Sequence, residues 1–327
     1  MKKALALATA VLLLAVLVAG CSGGGGQSSG GQSSGGQKFI NIATGGTAGT
    51  YFPLGGALAE IWNKNIPGAN ATAQSTGASV ANVNLLKDGK AEVIFVQNDI
   101  AYYAYNGTEM FKDNKYEDLR GLATLYPETI QIVTRADKGI KTLSDLKGKK
   151  VAVGAAGSGT EANARQILEA AGITYKDIQV QYLSFSEAAN NLKDGNIDAA
   201  FVTAGFPTAA VQDIAAQHKI VIIPVDDKTA DALISKYPFY TKTVIPANTY
   251  NGQTEDVKTV SVKSMLAVSA KMDEETAYNL VKTMYENLER LKTAHAVGEK
   301  IVPEVGKEGM SIPLHPGAEK YFKEKGL

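Results

Sequence analysis

The sequence is poor in the residue types that most often carry chemistry. Cys21 is its one cysteine in 327 residues, so an intramolecular disulfide is excluded. Its histidines, His218, His295 and His315, are scattered and lack the close spacing of a metal-binding pair, so no metal site is expected. Lys plus Arg and Asp plus Glu each number 33, which leaves no field of one sign to attract nucleic acid. Neither a nucleophile elbow nor a two-histidine zinc helix is present. The most enzyme-like string, Gly154-Ala155-Ala156-Gly157-Ser158-Gly159-Thr160, lacks the lysine of a P-loop. It partly matches a dinucleotide turn, but the strand expected next, Val180 to Leu183, does not end in an acid to hold a ribose. These gaps point away from catalysis, and no cofactor is expected.

What is present begins with a leader. Met1-Lys2-Lys3 is basic and Ala4 to Ala19 is a continuous apolar run, short for a membrane span and suited to a signal peptide. Val18-Ala19-Gly20-Cys21 resembles the lipobox of bacterial lipoproteins, which implies cleavage after residue 20 and lipidation of Cys21. Residues 21–37 continue as a Gly/Ser/Gln repeat that cannot bury apolar surface and is expected to be flexible coil. Its reach is roughly 20–24 Å, enough to hold a globular domain near a membrane. An extracytoplasmic, lipid-anchored protein is expected, on the cell surface or in the periplasm.

The remaining length fits about two domains. Leu86-Lys87-Asp88-Gly89-Lys90-Ala91-Glu92-Val93-Ile94-Phe95-Val96 recurs as Leu192-Lys193-Asp194-Gly195-Asn196-Ile197-Asp198-Ala199-Ala200-Phe201-Val202. A strand, a glycine-rich turn and a helix precede each copy, at Ile40 to Lys64 and at Val151 to Ala171. Two such α/β units suggest two facing lobes with a ligand cleft between them. Residues 38–125 are expected to form the first lobe, 126–244 the second, and 245–327 to return to the first. Helices are expected near Val80 to Leu86 and Ser186 to Asp194, and a single long amphipathic one over Glu274 to Val297. Leu119 to Arg135 reads as two apolar segments split by Pro127, where the chain crosses between lobes. Nothing suggests a coiled coil, and a monomer is expected.

Strands alternating with helices favour mostly parallel sheets, which bind ligands at the carboxyl ends of their strands. Both glycine-rich turns join a strand to a helix, a geometry that aims backbone N–H groups and the helix dipole at one anion site. Gly46, Thr47 and Tyr51 in the first turn, and Ser158, Gly159 and Thr160 in the second, are therefore candidate ligand-binding residues. Ser75, Thr76 and Ser79 form a third polar strand-end loop, with Ser79 the expected helix cap. Gln97 ends the next strand, and Ala204 and Gly205 end its counterpart in the repeat. Asp99 is the one acid expected near the cleft, where it is suited to a ligand ammonium or to helix capping.

Four strings together resemble a known family. They are Gly45-Gly46-Thr47-Ala48-Gly49-Thr50-Tyr51, Ser75-Thr76-Gly77-Ala78-Ser79, Asp145-Leu146-Lys147-Gly148-Lys149-Lys150-Val151 leading to Gly157-Ser158-Gly159-Thr160, and Gly205-Phe206-Pro207. In this order they resemble the TAXI solute-binding proteins of tripartite ATP-independent periplasmic (TRAP) transporters. The resemblance implies an α/β, two-lobed periplasmic-binding-protein-like fold (type II). It also implies a small organic acid or amino acid ligand, of the glutamate or 2-oxoglutarate type, delivered to TRAP membrane subunits. The third string also occurs in ABC-transporter binding proteins for sulfonates and nitrate, so that assignment is the alternative. The sequence places no arginine to hold a carboxylate; Arg165 follows Thr160 on its helix and could point to the cleft.

Overall fold

The computed structural model describes residues 37–327. The expected leader, Cys21 and nearly all of the linker lie outside the described residues. Among the described residues, no helix is long and apolar enough to cross a membrane.

The described residues open with β1 (Lys38–Ala43), α1 (Tyr51–Asn65), β2 (Ala69–Gln74), α2 (Ser79–Lys87), β3 (Val93–Gln97) and α3 (Asn98–Asn106). The long β4 (Leu119–Arg135) leads to β5 (Lys150–Ala152), α4 (Gly159–Ala170), β6 (Gln179–Gln181), α5 (Phe185–Lys193) and β7 (Ala199–Ala204). Then come α6 (Ala209–Gln217), β8 (Ile220–Ile223), α7 (Asp227–Lys236), β9 (Thr241–Ile245) and β10 (Val257–Ser269). Three helices close the chain: α8 (Glu274–Glu286), α9 (Leu288–Ala294) and α10 (Pro316–Glu324).

All ten strands belong to one sheet, with the main order β2-β1-β3-β10-β4-β7-β5-β6. The repeat is visible in this order. β1 is flanked by β2 and β3, both parallel to it, and β5 by β6 and β7, again both parallel. Between these parallel triplets run β10 and β4, antiparallel to each other and to their outer neighbours β3 and β7. β3 and β7 are buried along their whole lengths, as expected of apolar runs covered on both faces.

Two expectations need correction. Leu119 to Arg135 is one continuous strand. Pro127 lacks an N–H, yet sits within it opposite Lys263, next to a register shift between Lys263 and Met265; a bulge is where a sheet accepts proline. The helix expected over Glu274 to Val297 breaks at Asn287, whose φ of −131° is not helical, and ends in a 3-10 turn over Ala296–Lys300. Gln97 ends β3 as expected, and the chain enters α3 directly at Asn98.

Apolar faces of the helices cover the sheet. On one side Leu54, Leu58, Ile61 and Trp62 of α1 are buried with Leu280 and Met284 of α8 and Phe322 of α10. Trp62 Nε1 donates to the Leu280 carbonyl at 3.1 Å, which satisfies the one polar atom of this large side chain. Gly55 lets α1 approach the sheet, since a Cβ there would lie 2.4 Å from Thr44 Cγ2.

Candidate functional site

The site is built from helix starts. In the first unit Asn82 ties the local chain together. Its Nδ2 donates to the carbonyls of Thr44 at 2.6 Å and Phe95 at 2.8 Å, and its Oδ1 accepts from Thr76 Oγ1 at 2.5 Å. This holds the ends of β1 and β3 and the loop before α2 in one arrangement. In the second unit Ser158 caps α4, its Oγ accepting the Glu161 N–H at 3.2 Å. Ser184 caps α5 through a capping box with Glu187. Gly154 permits the turn after β5 because its φ of +100° is left-handed.

The two units meet over the site. The Ala81 N–H donates to the Gly157 carbonyl at 3.0 Å, and the Ala210 N–H to the Ala48 carbonyl at 3.3 Å. Thr50 Oγ1 donates to the Gly205 carbonyl at 3.2 Å. Beneath these contacts lies a cavity of about 60 Å³. It is lined by the N-terminal residues of α1, α2, α4 and α5, by Gln97 and Thr203 at the ends of β3 and β7, and by Tyr126 and Glu128 of β4. By the repeat, Ser79 corresponds to Phe185 and Gln97 to Thr203, so equivalent positions meet from the two units. The first N–H groups of a helix lack intrahelical partners and carry the positive end of its dipole. Four helix starts therefore make the cavity favourable to an anionic group.

Of the residues expected from sequence, Gly46, Tyr51, Thr76, Ser79, Gln97, Ser158, Gly159, Thr160 and Ala204 line this cavity. Thr47, Ser75 and Gly205 do not. Ser75 Oγ donates to the Gly45 carbonyl at 2.9 Å, and the Gly205 carbonyl receives both Thr50 and Thr208 hydroxyls. Ser79 is not a cap: its Oγ accepts the Gln97 N–H at 3.2 Å, and the cap position falls on Ala78, at φ 69°. Asp99 does not line the cavity. It is buried behind it, with Oδ2 accepting from Asn163 Nδ2 at 3.0 Å. Arg165 faces Glu109 at 3.6 Å and Glu161 at 3.7 Å, away from the site.

The sequence reading missed Glu128. It is 2% exposed, one Oε accepts Gln97 Nε2 at 3.2 Å, and the other has no hydrogen-bond partner. Tyr51 and Tyr126 hydroxyls and Gln97 Oε1 are likewise buried and unpartnered. Burial pushes the Glu128 carboxyl up to about 7, helped by the Asp99 charge and opposed by Tyr51, Gln97 and Ser264. Burial also lifts Asp99 to about 7. Tyr51 and Tyr126 are pushed well above the ordinary phenol range, first by burial and then by Glu128. A signal was available: an acid inside the apolar run Leu122 to Val133 is out of place unless it is put to use. Among the described residues no group of three or more His, Cys, Asp or Glu is placed to hold a metal ion.

The chain belongs to the NMT1-like family, whose profile matches residues 42–326. It is 31% identical over 121 residues to an Escherichia coli K12 protein described as an aliphatic sulfonates-binding protein. That alignment covers 37% of this chain and 33% of the relative, so it spans about a third of the curated relative's length. Among solved structures, a Bordetella bronchiseptica RB50 protein superposes with a TM-score of 0.52 at 17% identity, covering 88% of this chain and 82% of that one. A Listeria monocytogenes protein described as an L-cystine ABC transporter superposes with a TM-score of 0.50 at 16% identity, covering 83% and 99%. The architecture is thus the α/β, two-lobed fold of periplasmic binding proteins, with the cleft between the two parallel units.

Proposed function

We propose that the protein is an extracytoplasmic receptor that captures a small organic acid or amino acid and hands it to a membrane transporter, without a chemical step. The observation that supports this reading is the cavity itself, where four helix N-termini converge on a space bounded by both halves of the repeat. In this reading the lobes divide near residues 125 and 244, with β4 and β10 as the crossover strands. The cavity is small. At about 60 Å³, against about 10–15 Å³ for one water on a comparable measure, it suits a compact solute of a handful of heavy atoms. Leader and lipidated Cys21 would keep the receptor at the outer face of the membrane.

For the transporter, two arrangements have support. The stretch shared with the sulfonate-binding relative, together with the fold match to a protein described as an ABC transporter, favours an ABC importer. The four strings resembling TAXI proteins favour a TRAP permease. The comparisons weigh on the ABC side. Neighbouring genes discriminate: an ATPase with a permease for the first, paired or fused TRAP membrane subunits for the second.

The ligand is tested by native mass spectrometry of the protein as purified, and again with glutamate, 2-oxoglutarate, C4-dicarboxylates and a sulfonate. A bound small acid is expected. A ligand altered on incubation, or occupancy that survives obstruction of the cavity, defeats the receptor reading.

A further inference from the structure

Helix starts explain why the cavity draws an acidic group; they do not explain Glu128. Among the described residues no Lys, Arg or His lines the cavity, so Glu128 has no cationic side chain beside it, only neutral donors: Gln97, the Tyr51 and Ser264 hydroxyls and the helix starts. One carboxylate oxygen has no partner, and Gln97 Oε1 beside it also lacks one. A buried charge without a partner is costly, and a site with unpaired acceptors discriminates strongly between ligands that supply donors and ligands that do not. The Gln97–Glu128 pair is also held in place. Gly159 leaves room for Gln97, since a Cβ there would lie 2.1 Å from Gln97 Oε1. Ser79 fixes the Gln97 backbone N–H at 3.2 Å. The acceptor oxygens sit in the cavity wall beside the first residues of α1, α2 and α4, Tyr51, Ser79 and Gly159.

Resting on the reading of this cavity as the solute site, we propose that Glu128 restricts it to zwitterions. Such a solute carries a primary ammonium that pairs with Glu128 and an acidic group that sits at the helix N-termini. An α-amino acid and an amino-sulfonate both meet this description, whichever transporter is served. An acid of the same length without the amino group brings a second negative charge beside Glu128. One of the two must then take up a proton or leave.

The test uses three matched pairs on the purified full-length protein: L-glutamate with glutarate, L-alanine with propionate, and taurine with ethanesulfonate. Titration calorimetry is expected to show at least tenfold tighter binding of the amino member in any pair that binds. Glu128→Gln is expected to bring the two members of that pair to within a few-fold. Equal or tighter binding of the member lacking the amino group overturns the proposal while leaving the receptor reading intact. Binding of none of the six compounds removes the solute site and the proposal with it.

Should Glu128→Gln fail to fold, the wild-type pH profile decides. Affinity for a zwitterion is expected to rise from pH 6 to pH 8 as Glu128 ionises, with proton release on binding; proton uptake overturns the assignment. The groups facing Glu128 are Tyr51 from α1, Tyr126 from its own strand, Gln97 from β3, Ser264 from β10 and Asp99 from α3. The tyrosines stay neutral over this range, so only Asp99 can contribute a second titration, and Asp99→Asn separates the two.

Discussion

At the scale of single residues, the site depends on small side chains that let larger ones approach. Gly159→Ala places a methyl group on Gln97 Oε1 and forces that side chain off Glu128. We expect solute affinity to fall by about tenfold, or ~1.4 kcal/mol, with unchanged far-ultraviolet circular dichroism. Calorimetry on the variant checks this. Ser79→Ala acts differently. It leaves the buried Gln97 N–H without an acceptor, which costs about 1–3 kcal/mol of stability, and it weakens binding through the displaced Gln97. Denaturant midpoints and affinity measured together should both drop. Thr160→Ala, at the cavity wall, should weaken binding with little change in the midpoint.

At the scale of elements, Asn82 is the point where β1, β3 and α2 are joined. Asn82→Ala removes its bonds to Thr44, Phe95 and Thr76 and strands buried carbonyls. A loss of about 2–4 kcal/mol is expected, read as a lower urea midpoint. The elements of each unit were legible from sequence because local signals agree there: the apolar stripe of α1, the Ser158 cap of α4, and the left-handed Gly89 and Gly172, both at positive φ, after their helices. The failures came where non-local contacts decide. Pro127 looked like a boundary, but pairing with β10 across a bulge keeps the strand whole. Asn287 carries no strong breaker signal, yet the chain turns there so that α9 contacts α1. Glu128 was hidden for the same reason: a strand position says which face a residue takes, not that four helix starts will line the same cavity.

At the scale of the molecule, two buried acids shape the response to pH. Glu128 and Asp99 both have folded pKa values raised to about 7 by burial, above the 4.5 and 3.8 of free side chains. The folded state therefore holds more protons than the unfolded one between those values. The stability this supplies is fully present below about pH 4 and is lost as pH rises toward about 7. Each group contributes on the order of 3 kcal/mol across that window. Thermal unfolding of the ligand-free protein should accordingly shift to lower temperature from pH 5 to pH 7.5. Glu128→Gln and Asp99→Asn should each flatten the trend, and an unchanged slope in both would show that neither acid is responsible.

The repeat carries one further consequence. Two copies of the same unit contribute to the cavity wall, with helix starts at matching places and with Gln97 and its counterpart Thr203 both lining it. A perfectly doubled receptor would have no head and no tail, and a solute could enter it either way round. Glu128 belongs to neither copy, because it comes from the strand that joins them. The connector, and not the duplicated parts, gives the chamber its direction.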